Sequence, residues 1–197
     1  MSNVRSQKVP SRSLLSIYLS LAMGTNCNAG ENSAIVVPPI TIQPPSVGEW
    51  TITRRTDFGV VFSRIEPDNR GYSIAYANLF ETRLGSDPNA FLAEAEMNVE
   101  AFLKAPNYRI LSTTYRATAE RGYPCVRVHV KMEVAVPETT ISDSYILPKQ
   151  LRMLLCRHAG SNPRGFLIGY SYTAPLPVEP YESQADAFIS GVHLNAK

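Results

Sequence analysis

The stretch "CVRVHVKMEV", residues 125–134, alternates polar and apolar side chains in the way that a half-buried β-strand does. A second stretch, "LRMLLCRH" at residues 151–158, has a similar alternation and also contains a cysteine. If the two strands pair antiparallel with Cys125 opposite Cys156, the apolar side chains of both strands fall on the same face. A shift of one residue would turn one apolar set toward solvent. The cysteines and the hydrophobic pattern therefore predict compatible registers.

This register predicts a disulfide between Cys125 and Cys156, because cysteines on neighbouring strands can reach bonding distance. We expect the disulfide to close a hairpin whose loop contains Val136 to Gln150. The alternative is a pair of buried or free thiols. A nucleophilic Cys156 is disfavoured, because it would need a free thiolate and a base directed at it, whereas His158 points alongside it on the same strand face.

The polar face beside the predicted disulfide is rich in basic side chains. In this register five potentially cationic residues and no acid gather there: Arg127, His129, Lys131, Arg152 and His158. We hypothesise that this face binds an anionic partner weakly, such as an acidic protein surface or lipid headgroups. The alternative is a solvated sheet face whose acids come from other strands or loops.

The rest of the chain reads as strands, a helix, more strands and a second helix. The stretches "WTITRR", "GVVFSRI" and "GYSIAYANLF" predict strands before the first helix, and "YRILSTTYRATA" and "FLIGYSYT" add to the two cysteine strands after it. The strands follow each other too closely for parallel crossovers. We therefore predict an α+β domain, with an antiparallel sheet of about six to seven strands and two packed helices.

Two apolar stripes define the predicted helices. In "SDPNAFLAEAEMNVEAFLKAP" the stripe has helical spacing, with Asp87 as the cap and Pro88 in the first turn. Its members are Phe91, Ala95, Val99 and Phe102. The second stripe lies near the end of the chain and predicts a helix that ends near Gly191. Its members are Tyr181, Ala185, Phe188, Ile189 and Val192.

The N-terminal residues have the order of a secretory signal peptide: basic, then apolar, then small and polar. We predict a signal peptide at residues 1–29 with cleavage between residues 24 and 29, a Pro-rich linker at residues 30–48, and one domain at residues 49–197. The predicted location is the periplasm or the exterior. The alternatives are a cytosolic protein, or an envelope protein anchored by a lipid on Cys27 or by an uncleaved signal.

Export also changes the charge of the mature chain. The 197 residues contain 19 basic and 17 acidic ones, and loss of Arg5, Lys8 and Arg12 leaves 16 basic residues. The mature chain is then near neutral and has no general electrostatic footprint for nucleic acid. The composition is compatible with a protein or envelope partner. It does not indicate the oligomeric state.

No catalytic motif is present in the sequence. We find no Gly-x-Ser-x-Gly elbow, no His-Glu-x-x-His, no Walker loop and no Cys-x-x-Cys pair. Of the three histidines in the chain, His129 and His158 could approach one face, but two imidazoles without a clear carboxylate partner are weak evidence for zinc, which usually takes three or four ligands. We therefore predict no catalytic, metal or cofactor site. The alternative is an envelope hydrolase whose active site the sequence does not reveal.

Several motifs together resemble a group of proteobacterial exported proteins, some of them lipoproteins. The motifs are "GYPCVRVHV", "LLCRHAG" followed by "GFLIGYSY", and a closing "AFISGV". The likeness covers most of residues 49–194 and implies no known activity. In element order the chain is also distantly similar to the Mog1/PsbP-type fold, whose members mostly bind partners or assist assemblies. That likeness is topological only, so no functional residue is carried over from it. We predict a non-enzymatic extracytoplasmic protein that binds a partner or assists an envelope assembly.

Overall fold

The computed structural model describes residues 34–37, 40–66, 71–81, 88–137, 144–157, 164–175 and 181–194. This part of the chain contains a seven-stranded sheet, a three-stranded sheet and two helices, which confirms the predicted α+β class. The elements are, in chain order, β1 (Ile35–Val37), β2 (Ile40–Ile42), β3 (Thr51–Thr56), β4 (Gly59–Ile65), β5 (Tyr72–Glu81), α1 (Pro88–Leu103), β6 (Tyr108–Thr118), β7 (Cys125–Pro137), β8 (Ser144–Arg157), β9 (Arg164–Thr173), α2 (Tyr181–Ser190) and β10 (Val192–Leu194).

The strand order of the large sheet is β3-β4-β5-β9-β8-β7-β6, and every neighbouring pair is antiparallel. After β5 the chain crosses one face as α1 and enters the far edge as β6. It then returns through β7 and β8 until β9 pairs with β5. This path leaves β3 and β6 as the two edges of the large sheet.

The β7–β8 hairpin has the predicted register. Cys125 lies opposite Cys156, and the ladder continues without interruption to Pro137 opposite Ser144. The expectation that Val136 to Gln150 forms a loop is therefore wrong. The ladder continues because the alternation of side chains does, with Leu147 buried and its neighbour Ile146 exposed.

Helix α1 covers one face of the sheet, which we call the α1 face. The predicted stripe is buried there at Phe91, Ala95 and Val99, and Leu103 extends it. It packs on the apolar residues of β7 and β8 that the predicted register placed together. These are Val126, Val128, Val130, Met132, Leu151, Met153 and Leu155, and the structure adds Val134 to them.

Helix α2 covers the opposite face, which we call the α2 face. Four residues of the predicted stripe are buried in this helix: Tyr181, Ala185, Phe188 and Ile189. The fifth, Val192, was expected in the helix but lies in β10, because the helix ends at Ser190. The Gly191 amide bonds to the Ala187 carbonyl oxygen, and the Arg121 guanidinium donates to the carbonyl oxygens of Ile189 and Val192.

The three-stranded sheet corrects the predicted linker at residues 30–48. Strand β2 pairs with both β1 and β10, so the two ends of the described chain meet. Four apolar side chains of this segment are buried together with α2: Ile35, Val37, Ile40 and Ile42. The segment is part of the fold because burial of these side chains stabilises it. The predicted signal peptide, including Cys27, lies outside the described residues and stays a prediction.

Candidate functional site

The predicted disulfide is present. The Sγ atoms of Cys125 and Cys156 are 2.06 Å apart, and their Cα atoms are 4.1 Å apart. Both cysteines are buried on the α2 face, in the same cluster as Leu154 and Phe166. Cys156 therefore has no free thiol in this state, and the bond locks the first pair of the β7–β8 ladder.

The predicted cationic face is not free of acids. Arg127 pairs with Glu120 at 2.8 Å and with Asp186 at 3.4 Å, and these contacts raise its pKa, the hydrogen bond to Glu120 most of all. Arg152 pairs with Glu182 at 2.7 Å and with Asp186 at 3.2 Å. The expectation of five cations without an acid was wrong, because α2 and the turn before β7 supply carboxylates that strand register alone does not reveal.

The other members of the predicted cationic set differ from the two arginines. His129 is half-buried, and its Nε2 atom lies 3.4 Å from Oε1 of Gln150. Burial lowers the pKa of His129, and the charge of Arg152 lowers it further, so the neutral imidazole is favoured. Lys131 is exposed and forms no ion pair within the described residues. His158 lies outside the described residues.

Strand β6 forms one edge of the large sheet. It is eleven residues long, and none of the described strands pairs with its outer side. Most of its side chains are exposed, including Ile110 and Leu111, where a bulge interrupts the pairing with β7. The strand contains Arg109 and Arg116 and no acid. The sequence predicted a strand here, but its position at the edge follows only from the topology.

The two arginines of β6 have different surroundings. Arg109 donates to Glu133 on β7 through Nε at 2.7 Å. Arg116 lies directly opposite Arg127, and no described carboxylate forms an ion pair with Arg116. Arg116 is therefore an unmatched positive charge at this edge. Arg127 also repels it, because like charges in direct cross-strand positions repel.

A buried lysine on the α1 face was not predicted. Lys149 is 6% exposed, and its Nζ atom lies 5.6 Å from the centre of the Tyr72 ring and 5.5 Å from that of Tyr108. No described carboxylate forms an ion pair with it. Burial lowers the pKa of Lys149 to about 8. Sequence reasoning assigned this residue to a loop, so it gave no signal.

Lys149 belongs to a row of side chains that crosses four strands of the sheet. Tyr72 lies opposite Thr173, Thr173 opposite Lys149, and Lys149 opposite Met132. Thr173 is fully buried, and its Oγ1 atom has no hydrogen-bond partner among the described residues. The row therefore holds a fully buried hydroxyl group without a hydrogen bond to any described residue, beside a largely buried lysine that has no described ion pair.

In a second buried cluster, on the α2 face, the opposite charges pair with each other. Arg64 pairs with Glu66 at 3.0 Å and lies 5.2 Å from the centre of the Trp50 ring. The Ser73 hydroxyl donates to Glu66 at 2.5 Å, and the Arg64 guanidinium also donates to the Val47 carbonyl oxygen. Because each charge has an opposite charge and hydrogen bonds beside it, this cluster is a structural element of the fold.

The cavities in the described part of the chain include two near the three-stranded sheet. One, of about 130 Å³, lies between α2 and the segment that follows β2, and is lined by Pro44, Gln184 and Phe188 among others. The other, of about 380 Å³, lies beside β1 and the end of β3. Neither is lined by a histidine or a cysteine. The Nε2 atom of His129 lies next to the side-chain amide of Gln150, and no described nucleophile is hydrogen-bonded to this imidazole.

The described residues contain no group of three or more His, Cys, Asp or Glu side chains that could hold a metal ion. None of the helices in the described ranges has both the length and the apolar character needed to span a membrane.

Comparisons with known proteins give structural likenesses only. No protein-family model and no curated protein matches the chain. A mutant of the protein Mog1 is similar in structure, with 13% identity, coverage of 83% of this chain and 96% of that chain, and a TM-score of 0.43. The Ran-binding protein Mog1p of Saccharomyces cerevisiae has 13% identity, 83% and 95% coverage, and a TM-score of 0.44. These likenesses are too distant to carry an argument about function.

Proposed function

We propose that this protein is a non-enzymatic, extracytoplasmic binding protein that takes up an extended, acidic segment of a partner protein along β6. The observation that carries the proposal is the edge itself. Its outer backbone groups have no described strand to pair with, and eleven residues offer a long ladder for an added strand. Backbone hydrogen bonds would supply affinity, and the side chains beside them would supply specificity.

The charge of this edge favours an acidic partner. Arg116 lies opposite Arg127, and Arg127 already pairs with Glu120 and Asp186, whereas Arg116 has no described ion pair. Lys131 on β7 lies opposite Ser112. Ser112, Thr114 and Arg116 are successive residues on one face of β6, so Lys131 is on the same face as Arg116. A strand added outside β6 places side chains next to Arg116, where a carboxylate relieves the repulsion between the two arginines.

The exposed apolar side chains near the bulge favour a partner that is not wholly polar. Leu111 is 55% exposed, and Ile110 next to it is also exposed. Contact with either side chain removes apolar surface from water. We therefore infer a partner segment that combines carboxylates opposite the Arg116 end with apolar residues opposite the Leu111 end.

The experiment uses two synthetic ten-residue peptides, one alternating Thr with Glu and the other alternating Thr with Lys. We expect the acidic peptide alone to bind, to weaken with salt, and to slow amide hydrogen exchange along β6. Arg116→Glu combined with Lys131→Glu should reduce its affinity at least about tenfold. Arg55→Glu, on the opposite edge strand β3, is the matched control and should leave it unchanged. Equal binding of both peptides, or protection on β3 only, contradicts the proposal.

The disulfide and the N-terminal sequence support the extracytoplasmic part of the proposal, since disulfides persist in oxidising compartments. Peptide mapping of the native protein without reduction tests it. We expect linked peptides containing Cys125 and Cys156, and a new N-terminus between residues 24 and 29. A lipid on Cys27 would keep the location and add an anchor. An intact N-terminus and two alkylated thiols in the cytosol would overturn it.

A further inference from the structure

A row of cross-strand neighbours on the α1 face consists of Tyr72, Thr173, Lys149 and Met132. Its amine and its buried hydroxyl have no role in the fold or in peptide binding at β6. Lys149 brings a positive charge into a largely apolar layer with no described counter-charge, and the rings of Tyr72 and Tyr108 lie beside its ammonium group. Rings stabilise an ammonium group less than a carboxylate does. The hydroxyl of the cross-strand neighbour Thr173 is fully buried and has no hydrogen bond to any residue that the structure describes.

We propose that Lys149 and Thr173 form a binding site for the carboxylate of a small monoanionic acid, with Tyr72 and Tyr108 enclosing its apolar end. One carboxylate satisfies both polar groups, because one of its oxygens can accept from the ammonium while the other accepts from the hydroxyl. Their positions fit this role, since Lys149 and Thr173 are direct cross-strand neighbours on the same face.

The charge and size of the site set the class of ligand. The described surroundings supply one cation, so a monoanion leaves no unmatched charge, whereas a phosphate dianion would. The ligand must be small because Lys149 keeps only 6% of its surface exposed. Two tyrosine rings and the Met132 side chain offer apolar contact, which favours a short-chain monocarboxylate over a sugar acid.

The test is a titration of the full-length protein, labelled on lysine side chains, with sodium acetate that replaces chloride at constant ionic strength. We expect the Nζ and Cε signals of Lys149 to move saturably, and the pKa of Lys149 to rise toward 10.5, because a bound carboxylate stabilises the ammonium form. Inorganic phosphate in a parallel titration should move these signals less. Movement of every lysine signal together indicates a general ion effect and overturns the proposal, as does a static Lys149 signal.

Two variants separate the site from its surroundings. Thr173→Val keeps the shape of the side chain and removes the hydroxyl, and should weaken acetate binding about tenfold. Lys149→Met should abolish the stabilisation of the protein by acetate. The control is Lys131→Met, an exposed lysine on β7, which should bind acetate like the wild type. Unchanged acetate affinity in Thr173→Val and Lys149→Met would overturn the assignment.

Discussion

Two cations of strand β8 lie three residues apart and face opposite sides of the sheet. Arg152 faces α2, where Glu182 and Asp186 pair with its guanidinium. Lys149 faces the α1 side, where two tyrosine rings are its neighbours and no described carboxylate pairs with it. The same backbone thus presents one matched and one unmatched positive charge.

The difference between Arg152 and Lys149 distinguishes charges that stabilise the fold from a charge whose burial does not. The charges around Arg152 and around Arg64 resemble each other, since both guanidinium groups have carboxylates within 3.2 Å. Burial of the Lys149 side chain opposes folding, because it disfavours the charged amine and no described carboxylate compensates for it. A local violation of this kind is expected at functional sites, where stability is lost in exchange for binding.

The largest effect expected from this comparison is a gain in stability. Lys149→Met removes the unmatched charge and keeps a flexible apolar side chain in the same volume. The depression of the pKa of Lys149 from 10.5 to about 8 corresponds to a gain of up to about 3 kcal/mol in the free energy of unfolding at pH 7. Denaturant unfolding measures it. Lys131→Met is the exposed control, expected to change stability by less than about 0.5 kcal/mol.

The pH dependence of that gain identifies its cause. Between pH 8 and 10.5 the unfolded chain holds a proton on Lys149 that the folded protein has released, so the wild type gains stability as pH rises. The difference between wild type and Lys149→Met should therefore be greatest below pH 8 and shrink toward pH 10.5. Tyr72 and Tyr108, the titratable groups beside the amine, are common to both proteins. A difference independent of pH would mean that packing, not charge, sets the effect.

The fold could be predicted where local pattern and long-range pairing agree. In β7 and β8 the side-chain alternation and the cysteine positions select the same register, so Cys125 was correctly placed opposite Cys156. The three-stranded sheet could not be predicted in this way. Strands β1 and β2 have three residues each and lie among proline pairs, and their third partner, β10, is at the other end of the domain. Tertiary pairing here overrides local composition.

The candidate sites could be predicted less well, because burial and counter-charges depend on distant elements. The predicted register correctly placed Arg127 opposite Leu154 and His129 opposite Arg152. The acids that pair with the two arginines come from α2 and from Glu120, which the register does not reveal. Lys149 lies beside Pro148 in a stretch that composition assigns to a loop. Its burial requires rings from β5 and β6, so no local window contains the signal.

The smallest expected effect has the opposite sign and comes from the other face of β8. Arg152→Met removes an arginine whose side chain is 20% exposed, but Glu182 and Asp186 are 68% and 50% exposed and are screened by solvent. Asp186 also retains Arg127 at 3.4 Å, so no buried carboxylate is left alone. We therefore expect a loss of about 1 kcal/mol in the free energy of unfolding, reduced by added salt. The same substitution on one strand should thus stabilise at Lys149 and destabilise at Arg152. Stabilisation at both positions would show that the α2 carboxylates do not compensate for the burial of Arg152, and the distinction between the two faces would be lost.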